Sequence, residues 1–133
     1  MTDWVSRMLS VLRIMAGLLF MEHGMAKLFG FPSSAFRPAF PNLLFFAGIL
    51  ECFGGALVAL GLFTRPVAFL LSGEMAIAYF MAHFPKGFFP LLNGGDAAVL
   101  YCFVFLYLVF AGGGEWSLDR LRGAEEPAEA DAR

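Results

Sequence analysis

Four long apolar segments alternate along the chain with three short connections rich in proline, glycine and polar residues. The apolar segments run from about Trp4 to Phe29, Leu43 to Phe63, Val67 to Phe84 and Asp96 to Ala111. Each approaches the roughly 20 residues that an α-helix needs to cross about 30 Å of hydrocarbon. No segment alternates apolar and polar residues as a barrel strand does. The pattern therefore predicts an all-α fold: a polytopic membrane protein whose four-transmembrane-helix bundle occupies residues 1–123.

The ends of the segments carry residues that start or stop helices. Pro66 suits the first turn of the third helix, and Asp96 is predicted to cap the fourth. After the glycines at 112–114, the sequence WSLDRL at residues 116–121 is predicted to form a short interfacial turn. Residues 124–133 have the composition of a disordered acidic C-terminal tail.

Composition supports a membrane protein and argues against other classes. Of the 133 residues, 59% are hydrophobic and 15% are charged, whereas soluble domains average about 45–50% and 25%. The net charge of −2 and the absence of a basic patch give no reason to expect nucleic acid as a partner. Glu22 and His23 stand where a signal peptide would need a small-residue cleavage site, so the first segment is interpreted as a retained helix.

The basic residues favour one orientation by a small margin. An even number of helices places both termini on the same side of the membrane. That side carries Arg7, Arg65, Arg120 and Arg122, and the opposite side carries Lys27, Arg37 and Lys86. Because positive residues accumulate on the cytoplasmic side, the expectation is that both termini are cytoplasmic.

Ionisable residues interrupt the apolar segments. Inside the spans lie Arg13, Glu22, His23, Glu51 and Glu74, and a charged side chain near mid-helix costs about 2.5–3.5 kcal/mol. At 1.5 Å per residue, Glu22 lies about 10 Å, Glu51 about 12 Å and Glu74 about 15 Å from the helix ends opposite the termini. The three carboxyl groups and His23 therefore share one layer. Lys27 and Asp96 lie near the rim above it.

Helical periodicity indicates which faces are buried. One narrow arc of helix 1 contains Arg13, Gly17, Phe20, Gly24 and Lys27, with His23 beside it and Glu22 roughly opposite Arg13. An i+4 row on helix 2 contains Ala47, Glu51, Gly55 and Ala59. Small residues at this spacing allow another helix to approach closely, so Glu51 is predicted to lie at a helix contact. A similar row on helix 3 contains Leu70, Glu74 and Ala78.

Three interpretations of the carboxylate layer remain open. The groups could hold the bundle in register through hydrogen bonds. They could instead line a pocket or proton path for a small ligand or a quinone. A bound metal is disfavoured because no E-x-x-H pair is present. Haem is disfavoured because His83, the second histidine, lies at the rim. Cys52 and Cys102 are interpreted as small buried hydrophobes rather than a redox pair.

Several strings resemble the DoxX family of small bacterial membrane proteins. They are LRIMAGLLFMEHGMAKLFGF in helix 1, ILECFGGALVALGLFTRP in helix 2, NGGDAAVLY at the start of helix 4, and GGGEWSLDR near the end. The resemblance covers roughly residues 9–122. The family's recurring positions correspond to Arg13, Gly17, His23, Gly24, Lys27, Glu51, Gly54, Gly55, Gly61, Arg65 and Asp96. Glu22 departs from the family pattern, since many relatives have a small or apolar residue there.

The resemblance implies a four-helix protein of the bacterial inner membrane, often described as an oxidoreductase. Related proteins include a subunit of an archaeal thiosulfate:quinone oxidoreductase and a mycobacterial member linked to oxidative and thiol stress. The leading hypothesis is a membrane subunit of a quinone- or thiol-linked redox complex, with redox proteins, lipid or further copies of the chain as partners. His23 and Glu51 are the first candidates for a pocket, with Lys27 and Asp96 at its mouth. No catalytic residue is assigned, and a non-catalytic scaffold or small-solute module is the alternative.

Overall fold

The computed structural model describes residues 3–33 and 42–125, which are largely helical and contain no β-strand. The helices are α1 (Asp3–Phe29), α2 (Leu43–Leu60), α3 (Thr64–Ala78), α4 (Pro90–Asn93), α5 (Asp96–Ala111) and α6 (Leu118–Leu121). The predicted all-α class is therefore confirmed. We call the end of the bundle with the start of α1, the α2–α3 connection and α6 the terminal end. The opposite end, with the α1–α2 and α3–α5 connections, is the loop end.

Four helices form the membrane-spanning part. α1, α2 and the helical stretch Thr64–Lys86 are long and apolar enough to cross a membrane, and Asp96–Ala111 is a shorter apolar helix. The stretch beyond α3 changes pitch, with a π-helical turn at Tyr79–His83 and a 3-10 turn at Phe84–Lys86. The prediction of a polytopic helical membrane protein is confirmed, with three to four helices able to span the bilayer.

α1 and α2 form a close pair because glycines face each other. A Cβ added at Gly17 would lie 2.5 Å from the Ala59 backbone nitrogen, and one added at Gly55 would lie 2.6 Å from that of Met21. Small residues allow this approach and the van der Waals contact that joins membrane helices. Gly55 and Ala59, from the predicted small-residue row of helix 2, therefore pack against α1 of the same chain.

α3 and α5 form the second pair, which encloses most of the apolar core. The side chains buried there are Ala68, Leu71, Met75, Ala98, Phe105 and Leu108. Ser72 adds a polar link, since its hydroxyl donates to the Cys102 carbonyl at 2.8 Å. The two pairs meet where the Phe20 ring of α1 packs edge-on against Phe105, with centroids 4.9 Å apart.

The α2–α3 connection differs from the predicted one because of a contact distant in sequence. α2 ends at Leu60 rather than Phe63, since Gly61 takes a left-handed φ of 70° and closes the helix. Asp119 then accepts hydrogen bonds from the backbone N–H groups of Phe63 and Thr64, both at 2.8 Å. The carboxylate thus satisfies two free donors at the start of α3.

Two further local predictions are corrected. Asp96 is the first residue of α5 and not its cap, which is Gly95 without a side-chain cap bond; the carboxylate still lies at the favourable end of the helix dipole. Leu70 was expected on the same buried row as Glu74, but it is 56% exposed. The buried face of α3 instead carries Leu71 and its neighbours.

The C-terminal segment, residues 112–125, folds back over the terminal end. The short turn predicted at 116–121 is the helix α6, whose cap Ser117 accepts from the Arg120 N–H at 3.2 Å. Glu125, which the sequence placed in the disordered tail, accepts from the Gly113 N–H at 3.0 Å. The rest of that tail, residues 126–133, lies outside the described residues, as does Arg37 in the first connection.

Candidate functional site

A buried ion pair joins α1 and α2 in the carboxylate layer. The Lys27 ammonium donates to both carboxyl oxygens of Glu51, at 2.5 and 2.7 Å. The side chain of Glu51 is 3% exposed and that of Lys27 is 19% exposed. Lys27 was predicted at the mouth of a pocket, but the structure makes it the direct partner of Glu51. Two of its three N–H donors are used by the carboxylate, which leaves one for a ligand.

Glu74 of α3 is the unusual member of this layer. Both of its carboxyl oxygens are buried, and neither has a hydrogen-bond partner among residues 3–33 and 42–125. Glu51 and Lys27 are the charged side chains that act electrostatically on Glu74, and we call these three residues the Lys27–Glu51–Glu74 cluster. A charged carboxylate that is buried without hydrogen bonds is strongly disfavoured, and a neutral carboxylic acid carries one O–H donor. Glu74 can therefore hold a proton and present it to a bound molecule.

His23 and Glu22 lie at the edge of this cluster and not inside it. Both are exposed at the surface of the bundle. His23 packs edge-on against the Tyr101 ring, with centroids 5.9 Å apart, and its Nδ1 lies 2.9 Å from the Leu19 carbonyl. The charges of Glu22 and Glu51 both act electrostatically on Tyr101. Among the described residues, His23 contacts Leu19 and Tyr101, and the hydrogen-bond partner of Glu51 is Lys27, so the structure does not join the two first candidates directly.

Arg13 belongs to a separate site at the terminal end. Its guanidinium is fully buried and donates to four backbone carbonyls: Val58, Ala59, Gly113 and Trp116, at 2.5–2.7 Å. The expected pairing across the bundle is therefore made with carbonyl oxygens and not with a carboxylate. Two of these carbonyls end α2, where a cation also complements the helix dipole. Arg13 therefore stabilises the fold. Because its donors are used by backbone carbonyls, we no longer count it among the ligand-binding candidates.

Asp96 remains at the loop end, apart from the cluster. It is exposed, and within the described ranges it forms no hydrogen bond or ion pair with a member of the layer. The buried polar residue at this end is Asn93, whose amide donates to the Gly87 carbonyl at 2.9 Å and to the Tyr79 hydroxyl at 3.1 Å. His83 Nδ1 lies 3.1 Å from the Asn93 carbonyl. These bonds fix the α3–α5 connection.

The cysteines and the other candidate metal ligands are dispersed. Both cysteines are free thiols. Cys52 lies at the α1–α2 contact beside Gly24, and Cys102 lies at the α3–α5 contact beside Ser72. In the part of the chain that the structure describes, no three His, Cys, Asp or Glu side chains lie close enough together to hold a metal ion.

The sequence interpretation missed three residues that matter to these sites: Tyr101, Asn93 and Asp119. A signal existed for Tyr101, because the chain has 17 Phe and only 3 Tyr. A hydroxyl retained among so many phenylalanines in a span indicates a polar neighbour. Asn93 and Asp119 lie in connections, where single polar residues are common, so their pattern carries no comparable signal.

The chain has a helix pair packed through glycines, an ion pair inside the spans and an apolar surface. These features define it as a small helical integral membrane protein. The DoxX family profile matches residues 8–84, more than half of the chain. The protein therefore belongs to the DoxX family, as the resemblance of its motifs predicted.

Two other proteins are similar to this chain over most of its length. The chain is 47% identical over 117 residues to an uncharacterized protein of Haemophilus influenzae, across 84% of this chain and 87% of the relative. It is 29% identical over 127 residues to an uncharacterized membrane protein of Mycobacterium tuberculosis, across 82% and 77% of the two chains. No solved structure matches the chain.

Proposed function

We propose that this protein is the quinone-binding membrane subunit of a redox complex, and that the Lys27–Glu51–Glu74 cluster binds the quinone ring. The observation that carries the proposal is the Glu74 carboxyl, buried beside an ion pair and without a hydrogen-bond partner among the described residues. Intramembrane ionisable groups of this kind mark substrate and proton pathways. A quinone reaches such a site through the hydrocarbon, where a hydrophilic substrate does not dissolve.

The cluster contains a hydrogen-bond donor for each of the two carbonyl oxygens of a quinone ring. Each ring carbonyl accepts hydrogen bonds, and the third N–H of Lys27 is free to donate to one of them. The O–H of neutral Glu74 donates to the other. Lys27 and Glu74 are therefore the two donors that the proposal assigns to the ring, in a low-dielectric site where hydrogen bonds are strong.

The proposed reaction balances with a partner protein as the electron source. Reduction of a quinone to a quinol consumes two electrons and two protons. The electrons come from the redox partner, because the sequence contains no nucleotide-binding glycine loop or other cofactor motif. Glu74 transfers one proton to the carbonyl oxygen that it contacts, Lys27 transfers one to the other carbonyl oxygen, and both groups are reprotonated from the aqueous phase. With the termini in the cytoplasm of a bacterium, as the charge bias favours, these protons enter from the outer face of the inner membrane.

Quinone binding can be tested without the partner protein. Calorimetric titration of a short-chain benzoquinone into the protein in lipid nanodiscs should show one saturable site per chain. The variants Glu74→Ala and Lys27→Met/Glu51→Gln should weaken binding by about tenfold or more, since each removes a hydrogen bond with a charged or strongly polarised group. The double substitution avoids leaving either charge without its partner.

Gly73→Ala is the matched control, because Gly73 precedes Glu74 on the same helix and a Cβ there would meet no atom within 4 Å. It should bind as the wild type does. If all four proteins show only the same non-saturable partitioning into lipid, the quinone site does not exist. A scaffold or solute-passing role would then be the better account of the family's polar layer.

A further inference from the structure

The face of α1 that points away from the bundle carries a regular stripe. Its members alternate in spacing between three and four residues: Val5, Met8, Leu12, Met15, Leu19 and Glu22. The five apolar members are 43–51% exposed, and Glu22 is exposed as well. We call these six residues the α1 stripe. The same alternation of three and four forms the seam between two helices in a left-handed coiled coil.

Glu22 is a costly residue at the surface of a membrane protein. It has no hydrogen bond or ion pair with any residue in the ranges 3–33 and 42–125, although it lies within a spanning helix. A carboxylate there costs about 2.5–3.5 kcal/mol near mid-helix, and such groups normally face protein or water. The position therefore indicates that another polar group covers Glu22 in the assembled protein.

His23, the next residue, offers a group of matching chemistry. Its Nδ1 lies 2.9 Å from the Leu19 carbonyl. A carbonyl oxygen can only accept, so Nδ1 carries the hydrogen, and Nε2 is left as an acceptor on an exposed side chain. One surface thus presents both a carboxyl donor and an imidazole acceptor.

An apolar groove continues from the stripe toward the terminal end. It has a volume of about 390 Å³ and is lined by Trp4, Val5, Met8, Leu9, Leu12 and Tyr107. Three of these residues belong to the α1 stripe. The stripe and the groove therefore form one continuous surface, with side chains to receive a neighbouring helix along most of the length of α1.

We propose that α1 packs in parallel against α1 of a second copy, across a two-fold axis along the membrane normal. In heptad terms Val5, Leu12 and Leu19 occupy a positions, and Met8, Met15 and Glu22 occupy d positions. His23 is then an e position. A d side chain of one helix inserts into a hole that includes the e residue of the other, so Glu22 of each copy meets His23 of the partner subunit.

The polar contact is self-complementary, which selects a second copy over another occupant. In a two-fold interface, residue i contacts residue j and j contacts i, so a donor and an acceptor side by side are both satisfied. The Glu22 carboxyl pairs with Nε2 of the partner's His23, and the reciprocal contact forms on the other side of the axis. The interface does not depend on quinone binding.

Disulfide crosslinking in native membranes tests the surface. In a chain with Cys52→Ala and Cys102→Ala, the substitution Met15→Cys should give a disulfide-linked dimer after mild oxidation. The controls Phe69→Cys on α3 and Phe103→Cys on α5, each replacing a side chain that is 63% exposed, should not. Equal crosslinking of all three variants, or a Met15→Cys adduct with a different protein only, would overturn the proposal.

An exchange of the two polar residues tests the pairing. Glu22→His and His23→Glu each place like groups opposite each other and should raise the dimer dissociation constant in detergent by about tenfold. The double variant Glu22→His/His23→Glu restores one acid and one imidazole at each contact, so it should dimerise nearly as well as the wild type. A double variant no better than either single variant would contradict the reciprocal Glu22–His23 contact.

Discussion

Arg13 shows how a guanidinium is accommodated inside a membrane protein without a carboxylate. Its planar fork donates to four carbonyl oxygens, two at the end of α2 and two in the C-terminal segment. The Ala59 carbonyl lies in the last turn of α2, where carbonyls lack a helical N–H partner. A hydrogen bond to a charged group contributes about 1.5–3 kcal/mol. The arginine at residue 13 is therefore explained by helix-end chemistry, and no ligand is needed to account for it.

Arg13→Lys should lower the free energy of unfolding by about 2–3 kcal/mol, because an ammonium has three donors and cannot reproduce the fork. Thermal unfolding of the purified protein in detergent measures the change. Arg7→Lys is the control, since the Arg7–Glu115 pair is partly exposed, at 33% and 24%, and such pairs contribute about 0–1 kcal/mol. An Arg13→Lys protein as stable as the control would mean that the fork is not required.

The terminal end should also respond to acid. Burial raises the pKa of Asp119, but hydrogen bonds from the Thr64 and Phe63 backbone and from Arg122 outweigh it and hold the pKa below its ordinary value of 3.8. A depressed pKa stabilises the fold above the unfolded-state value, and this stability is lost as the pH falls through the folded-state value. Asp119→Asn should therefore be less stable than the wild type by about 0.5–2 kcal/mol near neutral pH.

The difference in unfolding temperature between Asp119→Asn and the wild type should stay constant from pH 7 to about pH 5 and shrink below about pH 4. Thermal scans of both proteins across this range in the same detergent measure it. A difference that persists unchanged down to pH 3 would show that the Asp119 charge does not stabilise the start of α3.

Among the helices, the α1–α2 pair depends most on residue size. Gly17→Ala and Gly55→Ala each introduce a Cβ within 2.5–2.6 Å of a backbone nitrogen of the other helix, and helix backbones cannot yield as a flexible side chain can. Each substitution should lower the free energy of unfolding by about 1–3 kcal/mol. Gly73→Ala, on an open face of α3, should be neutral or stabilise by up to about 1 kcal/mol. Unfolding in mixed micelles compares the three, and equal effects at all sites would refute the packing argument.

The helices could be predicted because the bilayer imposes a length and a polarity on each one. α1 and α5, which are the first and fourth predicted helices, begin and end within one residue of the predicted limits. The arc from Arg13 to Lys27 was also correct, since all of its members face the bundle. The end of α2 could not be predicted, because it is fixed by Gly61 together with Asp119, a residue far along the chain.

The candidate site could be predicted only as a layer. Helical rise places Glu51 and Glu74 at a common depth whatever their neighbours are. Their partners depend on side-chain reach and on small rotations of each helix, and the sequence does not fix these. Lys27 extends from the rim to Glu51 for this reason, and His23 turns toward Tyr101 instead.

At the scale of the whole molecule, two polar centres lie at different levels of one apolar bundle. The terminal end is closed by Arg13, Asp119 and the segment 112–125, and the charged groups of Arg13 and Asp119 each have several partners. One buried atom there, Thr64 Oγ1, has no hydrogen-bond partner among the described residues. Toward the loop end, Glu74 is left without a partner among the described residues. Polar groups with full hydrogen bonding stabilise a fold, whereas an unsatisfied one is retained at some cost to stability. The charged groups that stabilise the fold therefore lie at the terminal end, and the candidate site lies nearer the loop end.

This division predicts which substitutions interact. Arg13 and Asp119 both bind the segment 112–125 to the bundle. When one of these contacts is lost the segment is less firmly docked, and the other contact then contributes less to stability. The double variant Arg13→Lys/Asp119→Asn should therefore lose at least about 0.5 kcal/mol less than the sum of the single losses. Arg13→Lys combined with Asn93→Ala, which removes a 3% exposed residue at the loop end, should be additive within about 0.3–0.5 kcal/mol. The free energies of unfolding of the wild type, the single variants and the double variants measure the coupling in each pair. Coupling of equal size in both pairs would contradict the independence of the two ends.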